Sequence, residues 1–124
     1  MTPEYVLALY EQKINSHRFE ELAPLFSDNA VIWFSDGSHR GLEAIRIAFE
    51  ETWAKIADET YWLEDLQWLG TGDGTAACIY TFHWTGLWDS RPARGKGRGT
   101  TVLCKEAGTW KITHEHLSRF PDSR

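Results

Sequence analysis

The sequence predicts an α+β domain in which three helices of the first half pack on a strongly curved, mainly antiparallel sheet. Three observations predict it. Helical periodicity is confined to residues before about 56. Every segment after that carries strand chemistry. The chain then closes in a hairpin whose turn can be placed at Ala107-Gly108. Helices gathered on one side of an antiparallel sheet make a two-layer architecture, and a long sheet covered on one face curls around what covers it. Such a curl leaves a cavity suited to a small molecule.

The elements follow in order. Thr2-Pro3 starts a helix, with Thr as N-cap and Pro at the first helical position. Val6, Leu9, Tyr10, Lys13 and Ile14 then share a largely apolar face. After Asn15-Ser16, a second short helix turns Phe19, Leu22, Ala23 and Phe26 inward, and Ser27-Asp28-Asn29 ends it. Residues 30–34 read as a strand, Ser35-Asp36-Gly37-Ser38 as a turn and His39-Arg40 as a short return. The third helix runs over residues 42–56, with Ile45, Ala48, Phe49, Thr52, Trp53 and Ile56 at helical spacing. Residues 59–69 alternate imperfectly as a strand. Residues 70–74 form a Gly-rich hairpin loop. Residues 75–88 make a long strand, apolar on both faces and therefore central. Residues 89–97, rich in Arg, Lys, Pro and Gly, read as a loop, and residues 119–124 as a tail.

In the closing hairpin a two-residue Ala107-Gly108 loop pairs Lys105 with Trp110, Leu103 with Ile112, Thr101 with His114 and Gly99 with His116. Strict alternation puts Trp110, Ile112, His114 and His116 on one face, apolar near the turn and bearing two imidazoles at the far end. That face is the expected pocket wall.

At 124 residues the chain suits one domain, residues 1–124, able to bury a core without disulfides. Cys78 and Cys104 sit in apolar strands with no CxxC spacing, which suits buried, reduced thiols and a cytoplasmic protein. The apolar runs are too short to cross a membrane, and residues 1–4 lack the pattern of a signal peptide. A net charge of −5 argues against nucleic acid as a partner. Seven Trp residues in so short a chain point to a core, an interface or a pocket rich in aromatic rings.

The polar candidates are few. His114 and His116 fit three roles: buried structural imidazoles, an acid–base or ligand-clamping pair, or two ligands of a zinc ion awaiting a third such as His83. Spacing specifies no third ligand, so no metal site is assigned. His83 fits either the pocket or the outer sheet face. Trp33, Trp53 and Trp62 are candidates for stacking on a flat or cationic ligand. Residues 91–98 form a basic segment suited to a solvated connection. Asp28 and Asp36 sit in turn contexts. Nucleophile elbow, phosphate loop and dinucleotide fingerprint are all missing.

Three pieces of sequence resemble the nuclear-transport-factor-2-like (NTF2-like) superfamily, in its SnoaL-like branch. They are Leu25-Phe26-Ser27-Asp28-Asn29-Ala30-Val31-Ile32-Trp33, Arg40-Gly41-Leu42-Glu43-Ala44-Ile45-Arg46, and the run from Arg98-Gly99-Thr100-Thr101-Val102-Leu103 through Gly108-Thr109-Trp110-Lys111-Ile112-Thr113-His114-Glu115-His116-Leu117-Ser118. The resemblance implies a cone-shaped fold with a deep pocket and a homodimer formed through the outer sheet face. The superfamily hosts isomerases, cyclases, dehydratases, epoxide hydrolases and proteins without enzymatic activity, so the fold leaves the chemistry open. Its ketosteroid isomerases use a Tyr that matches Tyr10. Their base position falls at or beside Phe34 and their second oxyanion donor near Thr100 or Thr101, and neither offers a carboxylate here. A base within reach is essential to that reaction, which speaks against it.

The expectation is a small-molecule-binding homodimer whose ligand is hydrophobic or aromatic, needing no cofactor. Its site would draw on Trp33, Trp53, Trp62, His83, Arg98, Thr101 and His116. The first alternative is an enzyme of isomerase, cyclase or dehydratase type, with Tyr10 as the polarising group and His114 as the acid–base group. The second is a structural association domain, like the related one that assembles a calmodulin-dependent kinase.

Overall fold

A computed structural model describes residues 1–121; the last three residues of the expected tail, 122–124, lie outside the described residues. Thr2 caps α1 (Pro3–Ile14), its hydroxyl accepting from the Tyr5 amide at 3.1 Å, with Pro3 in the first turn. A four-residue α2 (Phe19–Leu22) and a single 3-10 turn (Ala23–Leu25) lead into β1 (Phe26–Phe34) and β2 (Gly37–Arg40). Then come α3 (Leu42–Lys55), β3 (Ile56–Thr71), β4 (Thr75–Trp88), β5 (Arg91–Glu106) and β6 (Thr109–Arg119). The strands form one curved, unclosed sheet in the order β2-β1-β6-β5-β4-β3. All neighbours are antiparallel except β1 and β6, which run parallel. Helices and sheet meet in an apolar layer that includes Leu7, Tyr10 and Ile14 of α1, Ile45 and Phe49 of α3, and Ile32, Leu103 and Ile112 of the sheet.

Two expectations are corrected by the strand pairing. First, residues 89–97 are not a loop. The turn is only Asp89-Ser90, both at positive φ (52° and 64°), and β5 begins at Arg91 opposite Trp88. The Gly content reflects close packing. Gly95, Gly97 and Gly99 lie directly opposite Trp84, Phe82 and Tyr80, and a Cβ at any of the three would overlap the ring facing it. The glycines leave room for aromatic rings to lie across the sheet. Second, the closing hairpin slips by one residue. The turn is where it was expected, with Ala107 and Gly108 at φ 51° and 82°, and Lys105 pairs with Trp110 and Leu103 with Ile112. Beyond Ile112 the register shifts: Val102 faces His114, Thr101 faces Glu115 and Thr100 faces His116. Thr113 is the extra residue of a β-bulge, and one extra residue turns every later side chain to the other face.

Smaller differences have similar causes. Ser27-Asp28-Asn29 belong to β1, across a register irregularity against β6. The imperfect alternation of β3 comes from its register shifts, two of which contain a positive-φ aspartate, Asp58 and Asp65.

Candidate active site in the cone

A cavity of about 220 Å³ opens between the concave face of the sheet and helices α1 and α3. Its walls are mainly aromatic: Phe34, Phe49, Trp53, Tyr61, Phe82 and Trp84 all reach it. Phe49 links them, edge-on to Phe34 and tilted against Trp53, with ring centroids 5.7 and 5.5 Å away.

The polar groups are carboxyls. The Thr113 bulge turns Glu115 inward, where it is 1% exposed. Its Oε1 accepts a hydrogen bond from the Tyr10 hydroxyl at 3.1 Å, while Oε2 has no partner among the described residues. Burial pushes the Glu115 carboxyl up to about 7, and the hydroxyls of Tyr10, Tyr80 and Thr101 draw it partly back. Thr101 and Tyr80 are tied to each other at 2.7 Å. Tyr10 itself is pushed well above the usual phenol range, by burial first and by the neighbouring Glu115 second.

A second carboxyl enters through another bulge. The register of β3 against β4 breaks between Ala57 and Thr60, next to Asp58 at φ 53°. Glu59 is thereby turned into the cavity, 6% exposed, and burial raises its carboxyl to about 7. Its backbone carbonyl is 2.8 Å from His17 Nε2, and His17 stacks on Trp53 at 5.5 Å. The Trp53 indole N–H is buried without a partner among the described residues.

Comparison with known proteins gives the family. The model of the SnoaL-like domain matches residues 4–123. The chain belongs to the SnoaL-like domain family. Among solved structures it resembles an NTF2-like superfamily protein from Salmonella enterica serovar Typhimurium (TM-score 0.87, 20% identity, covering 97% of this chain and 89% of that one). It also resembles a candidate ketosteroid isomerase from Shewanella frigidimarina (TM-score 0.78, 23% identity, 92% of each chain). A third is a candidate calcium/calmodulin-dependent protein kinase II association domain from Xanthomonas campestris (TM-score 0.82, 18% identity, 94% of this chain and 84% of that one). These likenesses establish the fold alone. No curated protein matches the sequence.

Within this SnoaL-like cone, Tyr10 and Trp53 reach the cavity, and Thr101 stands behind Glu115. The histidines point elsewhere. His114 lies on the outer face of the sheet, with Nδ1 2.7 Å from the Val31 carbonyl oxygen and its ring edge-on to Trp33. His116 packs against the same Trp33, at 5.3 Å. His83, flanked by the cavity-facing Phe82 and Trp84, also faces outward and stacks on Trp62 at 5.5 Å. The Trp62 indole N–H donates to Glu64 at 2.7 Å. Arg98 lines a shallow outer groove with Thr100, His116 and Ser118, its guanidinium 5.8 Å from the centre of the Phe120 ring. The expected imidazole wall is thus corrected to a carboxyl floor, because of one bulged residue. Among the described residues no three His, Cys, Asp or Glu side chains converge to hold a metal ion.

Proposed function

We propose that this SnoaL-like domain binds a small, mainly apolar molecule with one polar end, held in the cone with that end at Glu115. One observation carries the proposal: a fully buried carboxyl oxygen, Glu115 Oε2, makes no direct hydrogen bond among the described residues, and the Glu115 side chain borders an aromatic cavity. A buried polar atom left unpaired costs about 1–3 kcal/mol, and a ligand group that pairs with it recovers that cost. The cavity is about half as large again as a ~150 Å³ cavity that holds benzene, so one ring with a short substituent fits.

The Glu115 carboxyl also favours a second reading, cofactor-independent acid–base chemistry of isomerase, cyclase or dehydratase type. A carboxyl raised to about 7 suits proton transfer near neutral pH. Glu115 takes the acid–base role first assigned to His114, and Tyr10 orients it. The partner is proposed to be a second copy of the chain, docked on the outer sheet face where Trp33 is 45% exposed beside His114 and His116. Two unpaired cysteines, Cys78 and Cys104, suit the cytoplasm.

Native mass spectrometry of unheated protein tests binding and assembly together. The expected result is a dimer carrying a discrete adduct that is lost on denaturation and reduced in Glu115→Ala. A monomer that takes up no small molecule from a panel of single-ring alcohols, ketones and amines refutes both parts.

A further inference from the structure

Among the described residues, those lining the cavity carry three carboxyls, Asp36, Glu59 and Glu115, and no Lys, Arg or His. Two of the three are almost completely buried, one at the floor and one turned inward by its own bulge. The hydroxyls of Tyr10 from α1, Tyr80 from β4 and Thr101 from β5 act on Glu115, and Glu115 in turn raises Tyr61 of β3 and Cys78 of β4. None of these is a cation, and the His17 imidazole meets the backbone carbonyl of Glu59 and the Trp53 ring rather than Glu115. Buried charges are ordinarily paired, and once these carboxyls ionise no Lys, Arg or His among the described lining residues supplies the countercharge, so a bound cation would. An anionic ligand would be repelled by Glu59 and Glu115 once they ionise. A neutral alcohol would satisfy Glu115 Oε2 but leave the carboxylate charge uncompensated. The walls add a preference of the same sign, because the faces of Trp and Tyr attract cations.

We propose that the cone selects a cationic amine, a single aromatic or alicyclic ring bearing a short ammonium arm whose nitrogen sits against Glu115. This rests on the cavity being a small-molecule site, as proposed above, and names the class of molecule it takes. The ring occupies the aromatic walls. The ammonium donates to Oε2, the acceptor left without a direct partner among the described residues. The sign of the pH dependence follows. With carboxyls raised to about 7, Glu115 and Glu59 are largely neutral at pH 6 and largely ionised at pH 8. Amine affinity therefore rises with pH, by about tenfold from pH 6 to pH 8 for one carboxyl that must be ionised. A neutral hydroxyl that accepts from the protonated acid gives the opposite slope.

The test uses three probes of nearly equal shape: 2-phenylethylamine, 2-phenylethanol and phenylacetate. Each is titrated calorimetrically into the full chain at pH 6 and pH 8. The expected result is amine over alcohol over phenylacetate at pH 8, with amine affinity about tenfold lower at pH 6. In Glu115→Gln the amine preference over the alcohol is lost while alcohol binding persists, which also shows that the variant keeps its cavity. If that variant fails to fold, Glu59→Gln is expected to reduce the preference. Alcohol binding as tight as the amine at pH 8, or amine affinity that does not rise with pH, overturns the amine proposal and leaves the cavity as a small-molecule site. Failure of all three probes to bind overturns both.

Discussion

Replacing Glu115 with Gln is expected to stabilise the free protein in alkali while leaving it nearly unchanged in acid. The carboxyl is fully buried and raised from its ordinary 4.5 to about 7. At about 1.4 kcal/mol per pH unit, that displacement is worth about 3 kcal/mol. The folded state holds the Glu115 proton more tightly than the unfolded chain. The stability associated with that proton is therefore fully present below pH 4.5 and is lost as pH rises through 7. The amide of Gln has nearly the same shape and does not ionise, so the variant escapes the loss. Its carbonyl can still accept from the Tyr10 hydroxyl, and its NH₂ can donate to the hydroxyls of Tyr80 and Thr101, which already act on the Glu115 carboxyl. Glu59 titrates in both proteins and cancels in the difference. Urea unfolding followed by tryptophan fluorescence at pH 5, 6, 7 and 8 reads the effect. The expected gap is within about 1 kcal/mol at pH 5 and about 2–3 kcal/mol in favour of Glu115→Gln at pH 8. A gap of constant size across the range would show that Glu115 does not titrate on unfolding, and would refute the buried-carboxyl account.

Four further substitutions probe the same design. Tyr10→Phe removes the donor to Glu115 Oε1 and should cost about 1–2 kcal/mol at pH 7, while steepening the loss of stability with rising pH; urea titrations at two pH values check both. Gly97→Ala drives a Cβ into the Phe82 ring and the Ser118 carbonyl oxygen and should cost about 1–3 kcal/mol. A neutral result in thermal unfolding would contradict the close packing of β4 on β5. Ala107→Asn should add about 0.5–1 kcal/mol, because Ala107 holds φ 51° in the closing turn and Asn tolerates that region better. Trp33→Lys should dissociate the proposed dimer in light scattering without altering the far-ultraviolet circular dichroism.

Much of the fold was legible because it depends on composition over whole segments. The strand Thr75–Trp88 has the expected bounds, and the helix Leu42–Lys55 ends one residue before its expected limit. Both are set by runs of side chains whose period survives an occasional exception. The first half of β5 was not legible, because Arg, Pro, Gly and Lys carry the composition of a loop. What makes it a strand is its neighbour. Glycines at 95, 97 and 99 match aromatics at 84, 82 and 80, residue against residue. Two period-2 series, one of rings and one of missing side chains, complement each other across a hairpin. Each is ambiguous alone.

The polar group of the cavity depended on something smaller still, the parity of one strand. Trp110 and Ile112 occupy even positions, whereas Leu117, which lines the cavity, occupies an odd one. A strand cannot turn both sets toward the same core unless a residue is inserted between them. The inserted residue is Thr113, and the phase change in the apolar residues is the signal that marks it. The two imidazoles at even positions point to His114 and His116, whereas the inward phase of Leu117 goes with Glu115. The same slip has two consequences. It gives the cone a buried acid in contact with Tyr10, and it puts both imidazoles against Trp33 on the outer face. Pairing Thr113 in the ladder, opposite Val102, would exchange the two sets and turn the imidazoles inward, whereas deleting Thr113 would remove the bulge and keep His114 opposite Val102 and Glu115 opposite Thr101. The exclusion of Thr113 from the ladder is therefore what sets a carboxyl rather than an imidazole against Tyr10.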